Sequence, residues 1–248
     1  MDKVMLITGA GRGIGAATAL LAAQRGYAVC INYLRDADSA AALLKKVERA
    51  GARAIAVAGD VSSEPDVLRL FEETDRRLGR ITDLVNNAGI VDRGARVEDM
   101  SGARLARMFA INITGSFLCA REAVKRMSKR HGGTGGAIVN VSSIAAKLGA
   151  PGEYVDYAAS KAAIDTFTVG LAKEAGPDGI RVNAVRPGVI RTDIHLSSGD
   201  PARVERIGAT APLGRAGEPE EIARTILWLL SPEASYLTGA LVDVSGGR

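Results

Sequence analysis

Two tyrosines and a lysine share the stretch "YVDYAASK", Tyr154 to Lys161. Tyr157 and Lys161 stand four residues apart, so on a helix they share one face and the ammonium can favour the ionised phenol. A free tyrosine ionises near pH ~10, too high for efficient proton exchange at neutrality, and a neighbouring cation brings that value down. Tyr154 lies two turns from Lys161, which leaves Tyr157 as the proton-exchanging candidate. Taken alone, the pair would also suit a solvated helix face. A second stretch, "LITGAGRGIGAATALLA", runs strand, glycine-rich turn and helix start in immediate succession. Glycines there let the backbone turn sharply and approach a pyrophosphate, whose charge meets the helix N-terminus. The strict dinucleotide fingerprint fits only as Gly11, Gly13 and Ala16, whereas Gly9, Gly13 and Gly15 fit TGxxxGxG better, with Arg12 and Ile14 between them.

These groups need a scaffold, and the chain supplies a regular one. Apolar, β-rich runs ("KVMLIT", "YAVCINY", "RAIAVAGD", "DLVNNAG", "GAIVNVSS", "IRVNAVRP", "GALVDVSGG") alternate with helical ones at Gly13 to Arg25, Ala37 to Ala50 and around Tyr157 to Lys173, among others. Such alternation predicts right-handed crossovers and an α/β Rossmann fold, a doubly wound parallel sheet of about seven strands with helices on both faces. No repeat or linker divides the 248 residues, so residues 1–248 are expected to form one domain. The segment 192–219, with three prolines and four glycines, shows no clear strand or core-helix pattern and is expected to be a substrate lid. At the end of the second strand, "INYLRD" puts Asn32 and Tyr33 where an aspartate would favour NAD. Arg12 and Arg35 are available to a 2′-phosphate, which favours NADP(H), while Asp36 keeps NAD(H) open.

Composition narrows the classes. The net charge of +4 is scattered apart from "KRMSKRH" (Lys125 to His131), a pattern of solvated helix faces, and only 4% of residues are aromatic. A nucleic-acid partner is therefore not expected. Cys30 and Cys119 lie in apolar surroundings and read as packing thiols. His131 and His195 lack a second ligand nearby, so no metal site is expected. Neither a leader nor a membrane-spanning apolar run is seen, and the expected location is cytoplasmic.

The motifs "TGAGRGIG", "NNAG" (Asn86 to Gly89), "NVSS" (Asn140 to Ser143), "YAASK" (Tyr157 to Lys161) and "RPGVIRT" (Arg186 to Thr192) resemble, in order and spacing, those of the classical short-chain dehydrogenases/reductases. The resemblance runs from Lys3 to the terminal "VSGG" and points towards the branches of 3-oxoacyl-carrier-protein reductases and glucose dehydrogenases. It implies a general acid/base at Tyr157, and at Lys161 a residue that lowers its pKa and holds the nicotinamide ribose. Ser143 corresponds to the hydroxyl that polarises the substrate oxygen, with Ser142 as the fallback, and Asn112 to the helix asparagine that completes a tetrad. One departure stands out: Ser143 precedes Tyr157 by fourteen residues, against the family's usual thirteen, so the loop is expected to bulge at Pro151 to Glu153. Read alone, Asn112 would also suit a helix kink. Asp60 and Val61 resemble the pair that meets the adenine, and Asn87, Ala88 and Gly89 the turn beneath its ribose. Pro187 and Gly188 resemble the turn beside the nicotinamide, with Val189, Ile190 and Thr192 contacting its carboxamide and the phosphates.

What the resemblance implies as function is hydride transfer between a nicotinamide and a carbonyl or secondary alcohol. A non-catalytic nucleotide sensor or scaffold on the same fold is the alternative. The substrate class stays open between 3-oxoacyl thioesters on carrier protein, sugars and small ketones, with the pocket expected at Ala145 to Tyr154 and the lid. Many members are homotetramers that pair the helices containing Asn112 to Met127 and Tyr157 to Glu174.

Overall fold

A computed structural model describes residues 3–192 and 202–248. Seven strands form one parallel sheet in the order β3-β2-β1-β4-β5-β6-β7: β1 Val4–Ile7, β2 Ala28–Tyr33, β3 Ala54–Ala58, β4 Asp83–Asn86, β5 Gly136–Val141, β6 Ile180–Pro187 and β7 Leu241–Val244. A strand covered on both faces must be apolar at every position, and β1, "VMLI", is wholly buried. Its residues alternate between two cores. Val4 and Leu6 join Phe71 of α3 (Glu64–Arg77), Cys119 and Ala123 of α5 (Gly115–Met127) and Ala172 of α7 (Val155–Ala175). Met5 and Ile7 join Ala19 of α1 (Gly13–Gln24), Leu43 of α2 (Ala37–Arg49) and Ile222 and Ile226 of α9 (Pro219–Leu230). Helices thus cover both faces, as the alternation of runs predicts, and Cys30 and Cys119 are both free and buried.

The strand order reverses between β1 and β4, and there the loops leaving the two strands diverge and open a crevice at the carboxyl ends of the sheet. Between β4 and β5 two helices, α4 (Gly102–Phe109) and α5, are joined by a π-helical turn, Ala110–Thr114, that contains Asn112. A short helix, α6 (Ala145–Leu148), follows β5. Within the expected lid, which showed no helical pattern in sequence, Arg203–Gly208 form the helix α8. Residues 193–201 of that segment, His195 among them, lie outside the described residues.

The basic cluster is tied down internally. Lys125 and Arg126 pair with the buried Glu122, Arg126 also with Asp75, and Arg130 with Asp178. None of them borders the crevice.

Candidate active site

The crevice is a cavity of about 1050 Å³. Its floor is the turn between β1 and α1, where the sequence demands glycine for two reasons. Gly9 has φ +60°, and a Cβ there would come within 2.9 Å of Ala88 Cα; Gly13 has φ +56°, with Thr192 Cγ2 at 3.1 Å from the same imagined atom. Arg12 occupies the N-cap of α1 without capping it through its side chain, and the first turn carries no acid. The leading N–H groups of a twelve-residue helix therefore face the cavity uncapped, the donor set that a pyrophosphate fits. Gly11, Ile14 and Gly15 complete the turn, and Gly15 is packed too closely against Asn87 to carry a side chain.

Around this floor the expected contacts divide. Asn32 is buried, and its side chain accepts from Gly9 N at 3.1 Å and donates to Gly59 O at 3.0 Å, so it braces the glycine turn from beneath. Asn87 does the same from the other side, donating to the carbonyls of Thr8 and Gly9, both at 2.9 Å. Tyr33, Arg35, Asp60, Val61, Ala88 and Gly89 line the cavity, as do Pro187, Gly188, Val189, Ile190 and Thr192. Arg12 and Arg35 are exposed at its rim. Asp36, the residue that could reach back to a ribose, instead accepts from the amide and hydroxyl of Ser39, at 2.9 and 2.7 Å, and caps α2.

At the other end α7 delivers the chemistry-bearing pair. Lys161 is buried and lies over the Tyr157 ring, with Nζ 5.7 Å from its centroid, while donating to Val141 O at 2.7 Å. Ser143 lines the cavity together with Tyr157, and its Oγ accepts from Ala145 N at 3.1 Å. Ser142, the fallback, points elsewhere and donates to Lys161 O at 3.1 Å, bracing α7 against β5. The lowered phenol that the spacing implies is not the direction found. Burial pushes the Tyr157 phenol above its ordinary value, against the Ser143 hydrogen bond. Burial also pushes Lys161 down to about 8, opposed by the charge of Asp165 one turn further along.

Asn112 sits in the π-turn between α4 and α5, a distortion found most often at functional sites. Its Oδ1 accepts from Ile90 N at 2.8 Å, and its Nδ2 donates to Ile90 O and to Ser160 Oγ, both at 3.0 Å. Ser160 donates in turn to Tyr157 O at 2.7 Å. Asn112 thus clamps the loop after β4 to the helix that carries Tyr157. The fourteen-residue spacing is absorbed where Gly149, Ala150 and Gly152 all have positive φ, and Ala150, at +46°, is the one described non-glycine residue in that region. The bulge begins slightly before the expected Pro151 to Glu153.

Sequence reasoning passed over Thr8, Ser160 and the pair Arg104–Asp156. Thr8 Oγ1 accepts from Asn87 N and Ala88 N, each at 3.0 Å, locking β1 to β4 where the crevice opens. Its signal was the threonine just before the glycine turn. Asp156, immediately before Tyr157, was visible as an acid within an otherwise small and apolar helix start. The substrate end of the cavity is walled by Tyr154 and Arg203, whose guanidinium lies 4.9 Å from the tyrosine ring centroid and pairs with Glu153 at 2.8 Å.

Comparison with known proteins agrees with this geometry. Residues 9–248 match the family described as enoyl-(acyl carrier protein) reductase. The chain is 50% identical over 245 residues to a protein of Escherichia coli named uncharacterized oxidoreductase YgfF, covering 99% of both. It is 39% identical over 246 residues to a 3-oxoacyl-[acyl-carrier-protein] reductase of Synechocystis, covering 99% of this chain and 96% of that one. Among solved structures, acetoin dehydrogenase YohF from Salmonella typhimurium superposes with a TM-score of 0.88 at 36% identity, over 100% of this chain and 97% of that one. A short-chain dehydrogenase/reductase from Serratia marcescens gives 0.91 at 32% identity, over 99% and 97%. A matching glycine turn, a Tyr–Lys helix and similarity over essentially the whole length place this chain in the short-chain dehydrogenase/reductase family, the nicotinamide-linked oxidoreductases of alcohols and carbonyls.

Proposed function

We propose that the protein is an NADP(H)-dependent carbonyl reductase, reversible as an alcohol dehydrogenase, with Tyr157 as its general acid/base. The observation that carries this reading is the convergence of Ser143, Tyr157 and Lys161 at one end of a cavity whose other end is the uncapped helix start. When bound, the nicotinamide supplies the hydride exchanged with the substrate carbon; the remaining work belongs to this chain. The hydroxyls of Ser143 and Tyr157 both hydrogen-bond the substrate oxygen and so hold the carbonyl in place. As that oxygen gains charge, the Tyr157 Oη–H bond breaks and its proton passes to the oxygen. Lys161 stabilises the phenolate left behind. One of its three ammonium hydrogens is engaged by Val141 O, and the others are free for the nicotinamide ribose. Asn112, through Ile90 and Ser160, keeps the loop after β4 and the helix in register. In oxidation the proton moves the other way.

The cofactor preference rests on the second-strand rim, where Arg12 and Arg35 face the cavity and the nearest acid, Asp36, is engaged in capping α2. A 2′-phosphate meets two guanidinium groups there. The substrate is a small-molecule carbonyl, and the Synechocystis relative favours the 3-oxoacyl thioester class. The ion-paired basic cluster offers no support for carrier-protein docking. Within the segment expected as the lid, Arg203, Arg206, Ile207 and Thr210 border the cavity, and we assign these described residues the task of covering its substrate end. The protein is assigned to the cytoplasm; no described helix is long and apolar enough to cross a membrane. A homotetramer is proposed because Phe109 and Phe117 are exposed on α4 and α5, and Phe117 stacks on Phe167 of α7 at 3.8 Å, along the helices that family tetramers pair.

The test is initial-rate consumption of NADPH and of NADH against β-keto thioesters, ketoses and aromatic diketones. NADPH is expected to be preferred. Activity with NADH alone overturns the cofactor assignment, and no turnover across the panel overturns the reductase reading.

A further inference from the structure

Asp156, the residue before Tyr157, has a fully buried side chain and meets Arg104 of α4 in a two-point fork. Arg104 Nε donates to Asp156 Oδ2 at 2.7 Å and Nη2 to Oδ1 at 3.1 Å. Two further bonds extend the fork in opposite directions. Arg104 Nη1 donates to the carbonyl of Arg93, at 2.7 Å, in the loop after β4. Asp156 Oδ1 accepts the backbone N–H of Tyr157 at 2.9 Å. A second tie runs alongside, from Ala95 N to Glu153 O at 2.9 Å.

The local physics makes this more than another ion pair. The N-cap of α7 is Tyr154, which has no side-chain cap, so the carboxylate in its first turn takes over the task of receiving a helix-start N–H. That N–H belongs to Tyr157 itself. The loop at the other end of the fork passes through Gly89, Ile90 and Val91, which border the cavity. A buried salt bridge returns little net stability after its desolvation, and a well-packed apolar pair of the same volume often does as well. What an apolar pair cannot do is fix two backbones through directed hydrogen bonds.

We infer that Arg104 and Asp156 are positioning residues that hold the first turn of α7 against the loop after β4 and thereby set the place of the Tyr157 hydroxyl. This rests on the reading of Tyr157 as proton donor. Neither residue borders the cavity, so their effect passes through the backbone of Tyr157 and of Arg93. A displacement of about 1 Å at a proton donor costs on the order of a hundredfold in rate, while binding by the distant helix start of α1 is untouched.

Arg104→Met alone leaves a buried carboxylate without its partner and risks the fold, so the test uses Arg104→Met/Asp156→Leu, which replaces both charges with apolar groups. Arg104→Lys is the conservative companion, keeping charge but losing the fork. Three quantities are read: NADPH affinity by fluorescence, kcat and KM with NADPH and acetoacetyl-N-acetylcysteamine, and ionisation of Tyr157 in the cofactor-free protein. The last is an ultraviolet titration of each background minus its Tyr157→Phe counterpart. The double variant is expected to bind NADPH as the parent does, to lose about ten- to a hundredfold in kcat with KM changed less than about threefold, and to shift the Tyr157 ionisation constant more than about threefold. Arg104→Lys is expected to fall between. A folded double variant with parental kcat and parental Tyr157 ionisation overturns the inference. If the parent itself turns over no thioester, the ionisation difference still decides the positioning role, and the failure belongs to the functional reading.

Discussion

Lys161 shows how much of the chemistry is decided around a single side chain. It is buried, lies over the Tyr157 ring and donates to Val141 O, and burial pushes its ammonium down to about 8. Asp165 opposes that loss of charge from the next turn of α7, with one carboxylate oxygen paired to Arg186 and the other without a hydrogen-bond partner among the described residues. Because the charged lysine assists the phenol, kcat/KM for carbonyl reduction should fall as pH rises through about 8. Asp165→Asn removes the charge that favours the ammonium, so the alkaline limb should move to lower pH. Arg186 would keep its contact to Asp243. The pH–rate profiles of the parent and the variant check this, and superimposable alkaline limbs would contradict it.

At the scale of elements, strands that serve the site at one end carry a different burden at the other. Asp83, the first residue of β4, is buried, with Thr82 Oγ1 donating to it at 2.6 Å. Burial raises its carboxyl from 3.8 to about 6, against the hydrogen bond from Thr82 and the positive charges of Lys3 and Arg181. The folded value lies above the unfolded one, so this group's contribution is fully present below pH 3.8 and is lost as pH rises through about 6. At neutrality the buried charge costs about 3 kcal/mol. Asp83→Asn should therefore stabilise the protein at pH 7 to 8 by up to about that amount, and change little near pH 4. Denaturant unfolding of both proteins at the two pH values measures it. Equal stability differences at both would refute the assignment. Asp83 lies at the amino end of its strand, opposite the crevice, so cofactor affinity should be unchanged.

Over the whole molecule, the sequence made the architecture legible because β-rich, largely apolar runs alternate with helical ones, several of them amphipathic. It made Tyr157, Lys161 and the glycine turn legible because their chemistry depends on local spacing. It did not reveal that Asn32 and Asn87 serve the glycine turn from within the scaffold, since an asparagine's partners lie on other strands. The π-turn at Asn112 was foreseen only as a kink, because nothing in "MFAINITGSF" distinguishes one extra residue per turn from a regular helix. The Arg104–Asp156 fork joins residues 52 positions apart, a contact that no period in the chain encodes. The raised phenol escaped for the same reason, burial being a property of the assembled fold. The central claim is that Tyr157 carries the proton. The most direct measurement pairs turnover with cofactor binding in Tyr157→Phe: kcat should fall by on the order of a thousandfold or more while NADPH affinity stays near the parent's, and a variant that keeps near-parental turnover would contradict the account.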